Sequence, residues 1–214
     1  MSVDQTGENV DEKNFCDVQK KDGLTGAAVF GTQELETKRL VLRQFSENDA
    51  EKMFEKWASD PLVTKYLTWK THVSPEETKA IIREWTEGYD RADFFQWAIV
   101  LKETDDEPIG GISVVHIDEK SGDYEIGYCI GRRLWNMGIT TEALKKVIAF
   151  LFDEIKAKSV SAKHCAENIP SGKVMEKCGL RYVGTQKGAA ETGEGETYDL
   201  VCRSLLREEY EKRL

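Results

Sequence analysis

The stretch from Tyr124 to Ala143, YEIGYCIGRRLWNMGITTEA, constrains this chain more than any other. Up to Ile130 it reads as a strand. Beyond Gly138, residues Ala143, Leu144, Val147, Ile148, Leu151 and Phe152 recur at helical spacing along one face. A strand must therefore pass into an amphipathic helix through a turn that holds Arg132, Arg133, Gly138, Thr140 and Thr141. The first N–H groups of a helix have no carbonyl partner within it and carry partial positive charge. Gly138 has no Cβ to keep an anion off the backbone, the threonines add hydroxyl donors, and the arginines add charge. Each contribution is small, about 0.3–1 kcal/mol for the dipole alone. On these grounds the stretch is either a phosphate site or simply a tight strand-to-helix turn. It contains neither the Walker A pattern nor G-x-G-x-x-G, which argues against a nucleotide kinase or a Rossmann dehydrogenase.

The rest of the chain frames this segment. ETKRLVLRQF (36–45) predicts a strand. Ser46, with Asp49 three residues on, predicts a helix whose stripe is Met53, Phe54 and Trp57, broken at Asp60-Pro61. Ser74-Pro75-Glu76-Glu77 predicts a second helix to about Gly88, with Ile81, Ile82 and Trp85 inward. Residues 94–103, 108–118 and 122–131 predict three hairpin-linked strands. After the central helix come a strand (159–166), a short helix from Ser171 to Lys177 ended by Gly179, and two strands around the Gly-rich loop GAAETGEGE. This order predicts one α/β (α+β) domain with a mixed sheet over 35–206, behind a polar, poorly ordered extension (1–34) and before a C-terminal tail or short helix (207–214).

Totals exclude several classes. A formal net charge of −9 over 214 residues offers no general basic field for nucleic acid. The N-terminus has no apolar signal core, and no run approaches the roughly 18 apolar residues that span a membrane. Five cysteines, Cys16, Cys129, Cys165, Cys178 and Cys202, are widely spaced with no C-x-x-C. His72, His116 and His164 form no metal-ligand pair. Neither a disulfide framework nor a metal is expected, and a reducing, cytoplasmic compartment fits best. Oligomeric state, monomer or homodimer, is open.

YEIGYCIGRRLWNMGITTEALKKVIAFLF followed by NIPSGKVMEKCGLRYVG resembles the acetyl-CoA-binding core of the GNAT superfamily of N-acetyltransferases. More narrowly it is similar to the branch of bacterial ribosomal-protein N-terminal (alanine/serine) acetyltransferases. The superfamily loop Q/R-x-x-G-x-G/A falls on Trp135, Asn136, Met137, Gly138, Ile139 and Thr140, with Thr141, Glu142 and Ala143 continuing as in that branch. Asn168 and Ser171 fall on the Asn-x-x-Ser pair beside the pantetheine arm, and LETKRLVLRQFSENDAEKMFEKW resembles the branch's opening. The resemblance implies a mixed, mostly antiparallel twisted sheet of six to seven strands with about four helices. It departs from the family twice: Thr140 replaces the second Gly or Ala, and Met175 stands where many relatives carry an acidic Tyr.

The resemblance implies acetyl-CoA as co-substrate and direct transfer to a primary amine, with no covalent cysteine intermediate. The acceptor is either a protein N-terminus or a small molecule such as a polyamine, amino sugar or antibiotic. A third reading is a CoA-binding sensor without turnover. If the family fold holds, strand 122–131 diverges from strand 159–166 to admit the pantetheine arm. Backbone N–H groups near Tyr128, Cys129 and Ile130 then bind the thioester carbonyl. Glu125 is a candidate base, or equally a strand carboxylate paired with a nearby Lys or Arg. Ser171 is a candidate acid for the thiolate, or the N-cap of its helix. Arg132 and Arg133 are candidate phosphate contacts or solvated charge, and Trp135 shapes the loop.

Overall fold

The computed structural model describes residues 31–104 and 106–213. The predicted extension therefore lies outside the described residues up to position 30. Its last residues are tied to the domain: the Thr32 hydroxyl donates to the Phe94 carbonyl at 2.9 Å, and the Trp97 indole donates to the Gln33 carbonyl at 2.6 Å.

The described strands form one sheet in the order β1-β2-β3-β4-β5-β6-β8-β7. They are β1 (Leu35–Glu36), β2 (Leu40–Arg43), β3 (Gln96–Leu101), β4 (Pro108–Asp118), β5 (Asp123–Ile130), β6 (Ser159–Cys165), β7 (Arg181–Glu191) and β8 (Thr197–Leu206). Every pairing is antiparallel except β5 with β6. The expected mixed, mostly antiparallel sheet is thus present. Its eighth strand is the two-residue β1, which folds back on β2 through the Thr37 turn.

Residue alternation assigns a core to each face. Leu40, Leu42, Trp97, Ile99, Ile112, Ile126 and Val160 pack against α4 (Ile139–Asp153) and α5 (Ile169–Lys177). All six apolar residues predicted on one face of α4 are buried. The opposite face holds a smaller core of Phe45, Met53, Trp57, Ile82 and Ala98, with Cys129 packed against it. It is covered by α1 (Ala50–Met53), α2 (Pro61–Thr64) and α3 (Pro75–Gly88).

Several local predictions need correction. The helix expected after Ser46 is a composite: a 3-10 turn (Glu47–Asp49), α1, then a π turn (Phe54–Ala58). Asp49 opens it by accepting from the Ser46 N–H at 2.8 Å, and Asp60 caps α2 after it. The helix predicted from Ser171 begins at Ile169, because the Asn168 side-chain Oδ1 caps it by accepting from the Ser171 N–H. Ser171 is therefore inside the helix and is not its N-cap. The Gly-rich loop is shorter than predicted, since β7 and β8 extend into it and leave 192–196 as the tip. The C-terminal segment forms α6 (Arg207–Glu211), whose Tyr210 ring stacks on Phe152 at 4.7 Å.

Candidate active site at the fork between two parallel strands

β5 and β6 pair only through Asp123–Ser159, Tyr124–Val160 and Glu125–Ser161. Beyond Glu125 the two strands part, as the sequence reading anticipated. Among the described residues, no strand then faces the outer half of β5 on that side. The Gly131 N–H turns toward β4, where it meets the Ile109 carbonyl at 2.9 Å. Strand alternation accordingly turns the main-chain groups of Tyr128 and Ile130 into the fork. The Ile130 carbonyl there accepts from the Trp135 indole at 3.0 Å. Glycines allow the close packing behind β5: a Cβ on Gly110 would lie 2.5 Å from the Cys129 carbonyl oxygen.

At the mouth of the fork the chain turns into α4. Asn136 (φ 63°) and Gly138 (φ 74°) are both left-handed, a conformation that Asn tolerates and Gly adopts without cost. The first bond of the helix runs from the Glu142 N–H to the Gly138 carbonyl at 3.0 Å. The N–H groups of Ile139, Thr140 and Thr141 precede it and have no carbonyl within the helix. Apart from its chain neighbours, a Cβ on Gly138 would meet no atom of the described residues within 4 Å except Arg39 Nη2 at 3.7 Å. Ile139 is buried as an anchor, Thr140 and Thr141 are half-buried, and Trp135 and Met137 stand exposed.

The arginines predicted beside this loop divide. Arg132 gives its Nε to Asp60 at 2.8 Å, and Arg133 is exposed with no ion-pair partner among the described residues. Arg39, which sequence reasoning missed, reaches the loop from the turn before β2. Its Nη1 donates to the Met137 carbonyl at 3.1 Å, and its Nε donates to Glu142 at 2.7 Å. No local pattern announces a pair 103 residues apart.

Side chains from opposite faces of the sheet flank the fork. Glu125 lies at its vertex on the face of α1–α3 and forms an ion pair with Lys163 at 2.7 Å. The hydrogen bond to Glu125 raises the Lys163 pKa. The paired-carboxylate reading of Glu125 is thus realised in its geometry. On the α5 face, the Tyr128 hydroxyl lies 3.0 Å from both the Ser171 carbonyl and the Ser171 Oγ. Burial pushes the Tyr128 phenol well above its ordinary value and keeps it neutral. Beside Ser171, Gly172 leaves room for His164, whose Nε2 would lie 2.6 Å from a Cβ there. Burial lowers the His164 pKa. Met175 is buried in the core, and burial raises the Cys129 thiol to about 11. Among the described residues no cluster of His, Cys, Asp and Glu could hold a metal, and no helix is long and apolar enough to cross a membrane.

The face of α1–α3 is partly roofed. The segment after α2 reaches β6, where the Cys165 thiol contacts the Tyr66 carbonyl, and it meets the tip of the β7–β8 hairpin. There the Gly193 N–H donates to the Leu67 carbonyl at 3.0 Å, and a Cβ on Gly193 would stand 2.2 Å from the carbonyl carbon of Trp69. Tyr66 and Tyr198 meet edge to face at 5.5 Å.

Comparison with known proteins agrees with this geometry. The family model for an acetyltransferase (GNAT) domain matches residues 39–181. The uncharacterized N-acetyltransferase p20 of Bacillus licheniformis is 32% identical over 178 residues, 83% of this chain and 98% of the relative. A solved GNAT-family acetyltransferase from Bacillus anthracis superposes with a TM-score of 0.72 at 26% identity, covering 82% of this chain and 99% of that one. RimL, a ribosomal alpha-N-protein acetyltransferase solved in complex with coenzyme A, shares the fold with a TM-score of 0.73 at 18% identity, covering 83% and 99%. With its forked β5 and β6 and the glycine loop opening α4, the chain belongs to the GNAT family of acetyltransferases, whose acetyl donor is acetyl-CoA.

Proposed function

We propose that this chain transfers an acetyl group from acetyl-CoA directly to a primary amine, with the free α-amine at a protein's N-terminus as the leading acceptor. The observation that carries the reading is the fork itself. It is an unpaired half-strand on β5, bounded at its mouth by the helix amides after Gly138 and at its vertex by Glu125.

The residues at the mouth fit a diphosphate. Gly138 leaves the approach open, and the amides of Ile139, Thr140 and Thr141 supply donors at a positive helix end. Asn136 and Met137 shape the loop, and Trp135 closes its underside by bonding Ile130. The N–H groups of Tyr128 and Ile130 bind the pantetheine arm and the thioester carbonyl. Donors preorganised for a developing oxyanion are worth roughly 3–4 kcal/mol. Cys129, expected among these donors, does not reach the fork: its main chain pairs with Gly111 of β4 and its thiol faces the opposite core. Arg133 adds solvated charge at the mouth, and Arg132 does so only where it can leave Asp60.

Glu125 receives a proton from the acceptor ammonium, directly or through water, and Lys163 holds the carboxylate in place until the acceptor arrives. An α-amine has a pKa of roughly 8, so a modest base suffices to free it. The departing thiolate takes its proton from the Ser171 hydroxyl, which is reprotonated from solvent, and Tyr128 holds that hydroxyl in place. This pair takes the place of the tyrosine that Met175 cannot supply. The chain's likeness to a ribosomal alpha-N-protein acetyltransferase supports a protein N-terminus as acceptor. The roof of Leu67–Thr71 and the hairpin tip supports a second reading, a small and slender amine. A thiol-release assay with acetyl-CoA against ribosomal-protein N-terminal peptides, polyamines and aminoglycosides separates them. Turnover with N-terminal peptides supports the first reading and turnover with polyamines alone the second, while CoA binding without thiol release rejects both.

A further inference from the structure

Arg39 lies outside the loop around Gly138 that pointed to the donor site, in the opening segment LETKRL. It occupies the turn between β1 and β2, yet its guanidinium reaches the loop before α4. Three donors converge on Glu142 to fix it: the Thr37 hydroxyl at 2.6 Å, the Arg39 main-chain N–H at 3.0 Å, and the Arg39 Nε at 2.7 Å. Nη1 is used on the Met137 carbonyl at 3.1 Å. Among the described residues, Nη2 has no hydrogen-bond partner. It lies 3.7 Å from the point where a side chain on Gly138 would begin. The free edge of the guanidinium therefore borders the side of the loop that the glycine leaves open. With 41% of its side chain exposed, that edge is within reach of a ligand.

We infer that Arg39 is a cofactor-binding residue, its Nη2 donating to the diphosphate of acetyl-CoA, and that Thr37 and Glu142 position it. The inference rests on the donor site proposed above. A planar guanidinium suits an oxyanion better than an ammonium does, because its donors are fixed in one plane. Holding Nε and Nη1 in advance lowers the ordering cost when the anion arrives. Glu142 is negative, but both its oxygens are turned to Thr37 and Arg39. Burial would raise its pKa, yet the Thr37 hydroxyl and the Arg39 amide and guanidinium more than offset this and hold the carboxyl below its ordinary value of 4.5. The brace thus stays charged at neutral pH. Arg132, nearer in sequence, is occupied by Asp60.

Calorimetric titration of the full chain with CoA, dephospho-CoA and pantetheine tests this. Arg39→Met should weaken CoA and dephospho-CoA alike by roughly tenfold or more, the usual cost of a lost charge-assisted bond. Pantetheine, which lacks the diphosphate, should bind the variant and the parent equally. Arg39→Lys should fall between, and it carries the same test should the Met variant fail to fold. Unchanged CoA affinity overturns the inference while the donor site stands. An equal loss for pantetheine makes Arg39 a structural brace only and also overturns it. A loss for CoA but not for dephospho-CoA would place the contact on the 3′-phosphate and reject the diphosphate assignment. Failure of the parent protein itself to bind CoA would instead sink the donor site, and this inference with it.

Discussion

The two ends of the fork are built differently. At its mouth, the donor loop is a local device: two left-handed residues, one of them a glycine, and a helix start within a few positions, braced by one long-range pair. At its vertex, the acceptor side is assembled from distant pieces: Glu125 on β5, Lys163 on β6, the segment after α2, and the tip of the β7–β8 hairpin. A diphosphate makes the same demands wherever it binds, and consecutive residues can meet them. An acceptor is recognised by surfaces that only the finished fold brings together.

Substitutions can break this contrast from either end. The largest effect should come from Gly138→Val, which puts a β-branched residue at φ 74° and fills the side of the loop open to phosphate. Acetyl-CoA affinity should fall by about a hundredfold or more, given the combined loss of backbone contact and left-handed geometry. Calorimetry reads this directly, and unchanged affinity would reject the loop as the donor site. Glu125→Gln comes next, with kcat down roughly a hundredfold if it acts as base and acetyl-CoA affinity unchanged. A kcat equal to that of the parent at every pH leaves Glu125 only as the partner of Lys163.

Ser171→Ala should lower kcat by about tenfold, and Tyr128→Phe by less, since the phenol acts through Ser171. Because Tyr128 stays protonated through the neutral range, the ratio of parent to Tyr128→Phe rates should be flat with pH there. A ratio that rises or falls across neutrality would contradict the pairing. The smallest effect is expected at the roof. Gly193→Val overlaps the Trp69 and Lys70 backbone, so the hairpin tip must lift, at a cost of roughly 1–3 kcal/mol in stability. Acceptor KM should shift while acetyl-CoA affinity holds. A shift in the latter would show that the two ends are not independent.

The same division explains what could be read from the residues alone. The α4 face, the three-strand meander and the fork follow from local periodicity and from the resemblance around Gly138. The start of α5 was misplaced because two residues compete for the role of cap. Asn168 wins by accepting the Ser171 N–H, with Pro170 suited to the first turn. The π turn at Phe54–Ala58 adds a residue to one helical turn without any distinctive pattern. Arg39 with Glu142, Tyr128 with Ser171, and Gly193 over Trp69 are contacts between residues far apart in the chain. Sequence spacing holds no signal for them, although Gly193 could be flagged as a glycine in a polar turn.

Amide hydrogen exchange, followed by mass spectrometry with and without acetyl-CoA, tests the donor assignment most directly. The account predicts new protection in two segments, 128–130 on the unpaired edge of β5 and 136–141 at the entry to α4, with the hairpin tip at 192–196 unchanged. Saturating acetyl-CoA that leaves both segments exchanging at their free rates, or protects the hairpin tip instead, would contradict it.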